Sequence, residues 1–156
     1  VSKDRSFFAQ WLAHLSIGLF IVAAVYTEQF DYEKNITFEK GDNNEIVLDE
    51  DTFLLLENIK DTDLSNHQKI SVDLIVMENN LKYSLSPSKN IYQPSGQVTN
   101  EVSTVNKYFD QYYATISMIE SDKVSINLVY KPFINLLWIS SILLVFSIFL
   151  SIMKRK

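Results

Sequence analysis

The sequence predicts a membrane α plus extracytoplasmic all-β protein, with two transmembrane helices flanking a small β-sandwich or partly open β-barrel. Three observations predict it. Uncharged apolar runs lie near both ends of the 156 residues. The charges are gathered between them. That charged middle alternates apolar and polar residues with the period of a strand. The overall hydrophobic fraction of 47% is ordinary and conceals this partition.

Residues 1–6, with Lys3 and Arg5, form a short polar flank. The chain opens on Val1 just ahead of the first apolar run, which reads as a piece of a longer polytopic membrane protein. Phe7 to Tyr26, FFAQWLAHLSIGLFIVAAVY, holds no Asp, Glu, Lys or Arg over 20 residues. As a helix it is about 30 Å long, one hydrocarbon thickness. A signal peptide is the rival reading, with Ala23-Ala24 mimicking a cleavage site, but the run is long for one.

Residues 27–132 form the middle domain. Ile36 and Phe38 alternate with polar neighbours, and Ile46 and Leu48 flank Val47. Lys69 to Met77, KISVDLIVM, places Ile70, Val72, Leu74 and Val76 on one face. Val124, Ile126, Leu128 and Tyr130 do the same near the end. Turns are expected at Gly41-Asp42-Asn43-Asn44, Asp61 to Asn66, Glu78-Asn79-Asn80 and Pro94-Ser95-Gly96. The spacing suggests seven or eight strands. Val105 to Ile119 fits a helical stripe or a strand, and a strand over Tyr112 to Met118 is favoured.

Phe133 to Met153, FINLLWISSILLVFSIFLSIM, is the second uncharged run, of 21 residues, and residues 154–156 are a basic tail. The two flanks together carry five basic residues and one acidic, whereas Thr27 to Pro132 carries nine basic and eighteen acidic. The positive-inside rule then places both termini in the cytoplasm and the middle outside, which for a bacterial inner membrane is the periplasm. Phe7, Phe8, Trp11, Tyr26 and Phe30 on one run, and Tyr130, Phe133 and Trp138 on the other, sit where interfacial aromatics belong.

The composition excludes several chemistries. With no cysteine there is no disulfide, thiolate metal site or cysteine nucleophile. Three glycines supply no phosphate-binding loop. The acidic middle argues against nucleic acid. Asp49-Glu50-Asp51 reads as a solvated turn and His67 as an exposed loop histidine. Asn35-Ile36-Thr37 matches a glycosylation sequon by chance.

His14 differs from these because it lies within the first apolar run. An ionisable group at that depth costs a few kcal/mol and usually faces a protein interior. Neutral imidazole is a good iron ligand, and an axial histidine commonly holds haem. Gln10 and Gly18, four residues either side, share its face. Gly18 leaves room for a flat macrocycle, and Gln10 is suited to bond a propionate or another helix. A histidine bonding across a helix interface for packing is the other reading, and both stay open on these residues alone.

Three segments carry a resemblance. Leu12-Ala13-His14-Leu15-Ser16-Ile17-Gly18-Leu19 is similar to an L-x-H-L-G-hydrophobic helix. Lys89-Asn90-Ile91-Tyr92 with Gly96 and Glu101 is similar to an E-K-R-x-Y…G…T-E segment, and Asp110-Gln111-Tyr112 to the D-L-Y strand after it. Val129-Tyr130-Lys131-Pro132-Phe133 with Trp138 is similar to Y-x-K-P-F-x-x-x-x-W. In this order the chain resembles the C-terminal part of the CcmF family of cytochrome c-type biogenesis proteins, the haem lyases. It departs at Ser88-Lys89-Asn90, where the family has Glu-Lys-Arg, at Asn100-Glu101 for Thr-Glu, and at Ser16 for glycine.

The resemblance implies that His14 is an axial ligand of a membrane-embedded haem b, with its second ligand outside this chain. It implies the haem chaperone CcmE, apocytochrome c and other cytochrome c maturation subunits as partners, in a multi-pass inner-membrane protein. The family acts as a haem lyase, but its tryptophan-rich haem-handling segment lies upstream of these residues. The competing expectation is a cofactor-free, membrane-anchored periplasmic scaffold module of an envelope complex.

Overall fold

The computed structural model describes residues 2–39, 45–120 and 123–153, with side chains from Phe7 onward. The turn expected at Gly41 to Asn44 lies outside the described residues. The elements run α1 (Ser2–Phe30), β1 (Tyr32–Glu39), β2 (Glu45–Asp49), β3 (Thr52–Asp63), β4 (His67–Glu78), β5 (Leu81–Leu85), β6 (Ser88–Tyr92), β7 (Val98–Glu101), β8 (Ser103–Lys107), β9 (Asp110–Ile119), β10 (Lys123–Lys131) and α2 (Ile134–Ile152). Two apolar helices at the ends thus flank a region of two β-sheets. The chain divides into two compact units. One holds the helices with Asn106–Gln111, and the other holds Tyr32–Val105 with Tyr112–Tyr130.

In the β unit one sheet has the order β1-β10-β9-β8. The other has the order β2-β3-β4-β6-β7, with β5 beside β4. Alternation decides which face each strand buries. Ile36 and Phe38 on β1, Leu54 and Leu56 on β3, and Val72, Leu74 and Val76 on β4 are buried. They form one cluster with Tyr112, Ala114 and Ile116 of β9 and Val124, Ile126 and Leu128 of β10. Residues from both sheets share this core, which is the packing of a small sandwich. Each fully buried Leu or Ile contributes about 1.5–3 kcal/mol.

The strands outnumber the seven or eight expected because two runs break. Pro87 has no N–H to extend a ladder and separates β5 from β6. Both of these strands pair with β4, β5 along Leu74–Glu78 and β6 along His67–Ser71. A break at Val102 separates β7 in one sheet from β8 in the other. The strand expected over Tyr112 to Met118 lies within β9. The expected turn at Asp61 to Asn66 is shorter than its polarity implied. Asp61, Thr62 and Asp63 stay in β3 and pair with Ile70, Lys69 and Gln68 of β4. Asn79 and Asn80 both take left-handed φ values, 48° and 64°, and close the two-residue β4–β5 hairpin.

In the helical unit the two helices pack along a narrow seam. Ala9, Leu12, Ser16, Ala23 and Thr27 of α1 are buried, as are Ser140 and Ser147 of α2. Ala9, Ser16 and Ala23 recur every seven residues, and so do Ser140 and Ser147. This spacing holds one edge of each helix against the other, and small side chains let the backbones approach. The buried serine hydroxyls are satisfied within their own helices: Ser16 donates to the Leu12 carbonyl at 2.7 Å, Ser140 to Leu137 at 2.9 Å and Ser147 to Leu144 at 2.7 Å. Phe7–Phe30 and Ile134–Ile152 are each long and apolar enough to cross a membrane, and only 22% and 11% of their apolar windows are buried.

Candidate functional site

His14 lies on α1 away from the seam. At 100° per residue it stands about 160° around the helix from Ser16. Its neighbours Gln10, Gly18, Ile21 and Val25 are exposed, as it is. The histidine therefore does not serve the packing of α1 on α2, the only long apolar partner among the described residues.

The ring's orientation is fixed from its own helix. His14 Nδ1 lies 2.7 Å from the carbonyl oxygen of Gln10, one turn back. A carbonyl only accepts, so in the neutral ring Nδ1 carries the proton and Nε2 keeps its lone pair. That is the tautomer a metal-ligating histidine needs, with the second nitrogen donated to an acceptor that orients the ring. Sequence reasoning placed Gln10 beside His14 but through its side chain, whereas its backbone carbonyl makes the contact. Around Gly18, one turn on, a Cβ would meet nothing within 4 Å. The surface beside the imidazole is open. A planar macrocycle with one histidine ligand fits this donor and this surface. Among the described residues no group of three His, Cys, Asp or Glu is arranged to hold a bare metal ion.

The second segment singled out in the sequence forms a separate polar cluster in the β unit. Ser88 and Glu101 face each other across β6 and β7. The Glu101 carboxylate accepts from Lys69 Nζ at 2.8 Å, Ser88 Oγ at 2.5 Å and Asn90 Nδ2 at 3.0 Å. The Lys69 bond first, then those from Ser88 and Asn90, hold its acid pKa down to about 2. Lys89, between them in sequence, is not in the cluster. Its Nζ reaches the Ser117 carbonyl at 3.4 Å on β9. Gly96 takes φ +68° in the β6–β7 turn, where its N–H bonds the Tyr92 carbonyl at 2.8 Å. The cluster ties β4, β6 and β7 together.

His67 is not a loop residue. It opens β4, is half-buried, bonds Asn66 Oδ1 through Nδ1 at 2.7 Å and packs on Tyr92 with ring centroids 5.0 Å apart. Of the solvated turn expected at Asp49-Glu50-Asp51, Glu50 and Asp51 form an exposed turn, whereas Asp49 ends β2. A group the sequence did not reveal is the tyrosine set. Tyr130 stacks on Tyr32 at 5.2 Å and packs on Tyr112 at 4.9 Å, and Tyr112 donates to Glu78 Oε2 at 3.2 Å. Burial pushes both the Tyr32 and Tyr112 phenols up, so they stay protonated donors.

No family model and no curated protein matches the sequence. The likeness is one of fold: a solved structure, that of the cytochrome c haem lyase CcmF, superposes over 97% of this chain with a TM-score of 0.74 and 11% sequence identity. The fold is CcmF-like. The chain spans 25% of that protein's length. The superposition takes in both helices and both sheets.

Proposed function

We propose that this chain is part of a CcmF-type protein of cytochrome c maturation, in which His14 is an axial ligand of a membrane-embedded haem b. The observation that carries the reading is the imidazole itself. It sits on an exposed face of a helix long enough to span, turned from α2, with Nδ1 committed to Gln10 and Nε2 free. An imidazole bare to hydrocarbon costs a few kcal/mol, which a metal bond on that face offsets. The CcmF-like fold supports the same reading.

In this reading residues 7–26 and 133–153 span the inner membrane, residues 1–6 and 154–156 are cytoplasmic, and residues 27–132 lie in the periplasm. His14 holds iron through Nε2, Gln10 orients the ring, and Gly18 keeps the neighbouring turn clear. When bound, haem supplies one-electron chemistry suited to keeping an incoming haem iron ferrous. A second axial ligand comes from another segment. The β unit offers its surface to CcmE, apocytochrome c and other maturation subunits, and the attachment step belongs to residues other than these.

The test is made in the full-length protein purified from its membrane. His14→Ala is expected to remove the b-type absorption bands while the protein still inserts and purifies. Unchanged bands would sink the ligand role and leave the cofactor-free scaffold as the better account.

A further inference from the structure

We infer that the β8–β9 hairpin tip, Tyr108-Phe109, is a third membrane contact that inserts into the lipid interface beside the start of α2. This rests on the reading that α2 spans a bilayer. Tyr108 is 84% exposed and takes a left-handed φ of 51°. A bulky residue held in that region costs energy and persists only where its surroundings fix it. The surroundings do so here through the first turn of α2. Asn135 N–H donates to the Phe109 carbonyl at 3.0 Å, and its side-chain amide lies 3.2 Å from the Tyr108 carbonyl and 3.3 Å from that of Asp110. The Asp110 carboxylate accepts from Phe133 N–H at 3.0 Å. The Phe109 ring stacks on Phe133 with centroids 6.2 Å apart.

The hairpin is therefore locked to α2 through its backbone, and its aromatic side chains are spent on little inside the protein. Phe109 remains 47% exposed even with Phe133 beside it. The tip is continuous with the exposed apolar side of α2, where Trp138 and then Ile142 and Val145 are bare. Whatever covers the first turn of α2 covers the tip. If α2 begins at the bilayer boundary, that covering is the headgroup layer, where Tyr and Trp rings with a polar edge are favoured. Asn106 and Asn135, bonded to each other at 3.3 Å, give the hairpin base a polar character suited to the same depth.

The experiment uses single cysteines in full-length protein from which any cysteine outside this chain is first replaced; this chain has none of its own. The full-length protein carrying Tyr108→Cys, Val145→Cys or Asp61→Cys is labelled with an environment-sensitive fluorophore. It is then reconstituted with lipids brominated near the headgroup or deep in the chains. The label at 108 is expected to shift to the blue and to be quenched by shallow bromines, that at 145 by deep ones, and that at 61, a charged exposed site, by neither. A water-like, unquenched signal at 108 with 145 still quenched overturns the interface contact while leaving the span intact. A blue-shifted label at 108 that bromolipid does not quench means another protein segment covers the tip, and also overturns it. Loss of quenching at 145 defeats the spanning reading itself.

Discussion

The hydroxyl of Thr27 donates a 2.6 Å hydrogen bond to the carbonyl oxygen of Pro132, joining the last turn of α1 to the segment that leads into α2. Thr27 is buried, and Pro132 precedes a residue in left-handed conformation, Phe133 at φ 55°. Thr27→Val keeps the shape of the side chain and removes the hydroxyl that bonds the Pro132 carbonyl. The expected loss is about 1 kcal/mol or somewhat more. A lowered midpoint in denaturant unfolding of the detergent-solubilised protein checks it, and an unchanged midpoint would mean that this bond does not hold the two helices.

The small-residue seam makes a sharper claim. Ala23 is 1% exposed, and a larger side chain there has nowhere to go. Ala23→Leu is expected to cost about 1–3 kcal/mol by forcing the helices apart. Val25→Leu, on the exposed side of the same helix, should leave the same unfolding midpoint where it was.

Glu101 gives a pH dependence. Its folded pKa lies well below the ordinary glutamate value of 4.5, at about 2. A depressed carboxylate stabilises the fold fully above its unfolded pKa, and that contribution fades as pH falls from about 4.5 toward about 2. Following unfolding of the native protein and Glu101→Gln through that window should show the two curves converging at low pH. Parallel curves would mean that the charge on Glu101 is not what Lys69, Ser88 and Asn90 recognise.

The architecture was legible where burial is one-sided. Val72, Leu74 and Val76 alternate because one face of β4 meets the core, and Val124, Ile126 and Leu128 do so for the same reason. Asp61 to Asp63 misled as a turn because a strand pair that runs past its core needs no apolar residues. Its backbone bonds suffice, helped by Gln68 Nε2 on the Asp61 carboxylate at 2.9 Å. His67 was hidden in the same way, as a polar residue opening a strand.

At the candidate site, His14 stands out because it is the one basic side chain in the run Phe7 to Tyr26. The face it occupies has no local signature, since α1 is apolar nearly all round and, Leu12 apart, its buried edge consists of small residues. Nor does any local pattern announce the tyrosine set. Tyr32 and Tyr112 are far apart in sequence, and they come together only because β10 lies between β1 and β9.

The most direct measurement is chemical rescue of the imidazole. In full-length protein His14→Gly should lose its b-type absorption bands, and adding imidazole to the solution should restore them by replacing the missing Nε2 donor. Bands that survive the substitution without added imidazole would contradict the central claim that His14 holds the iron.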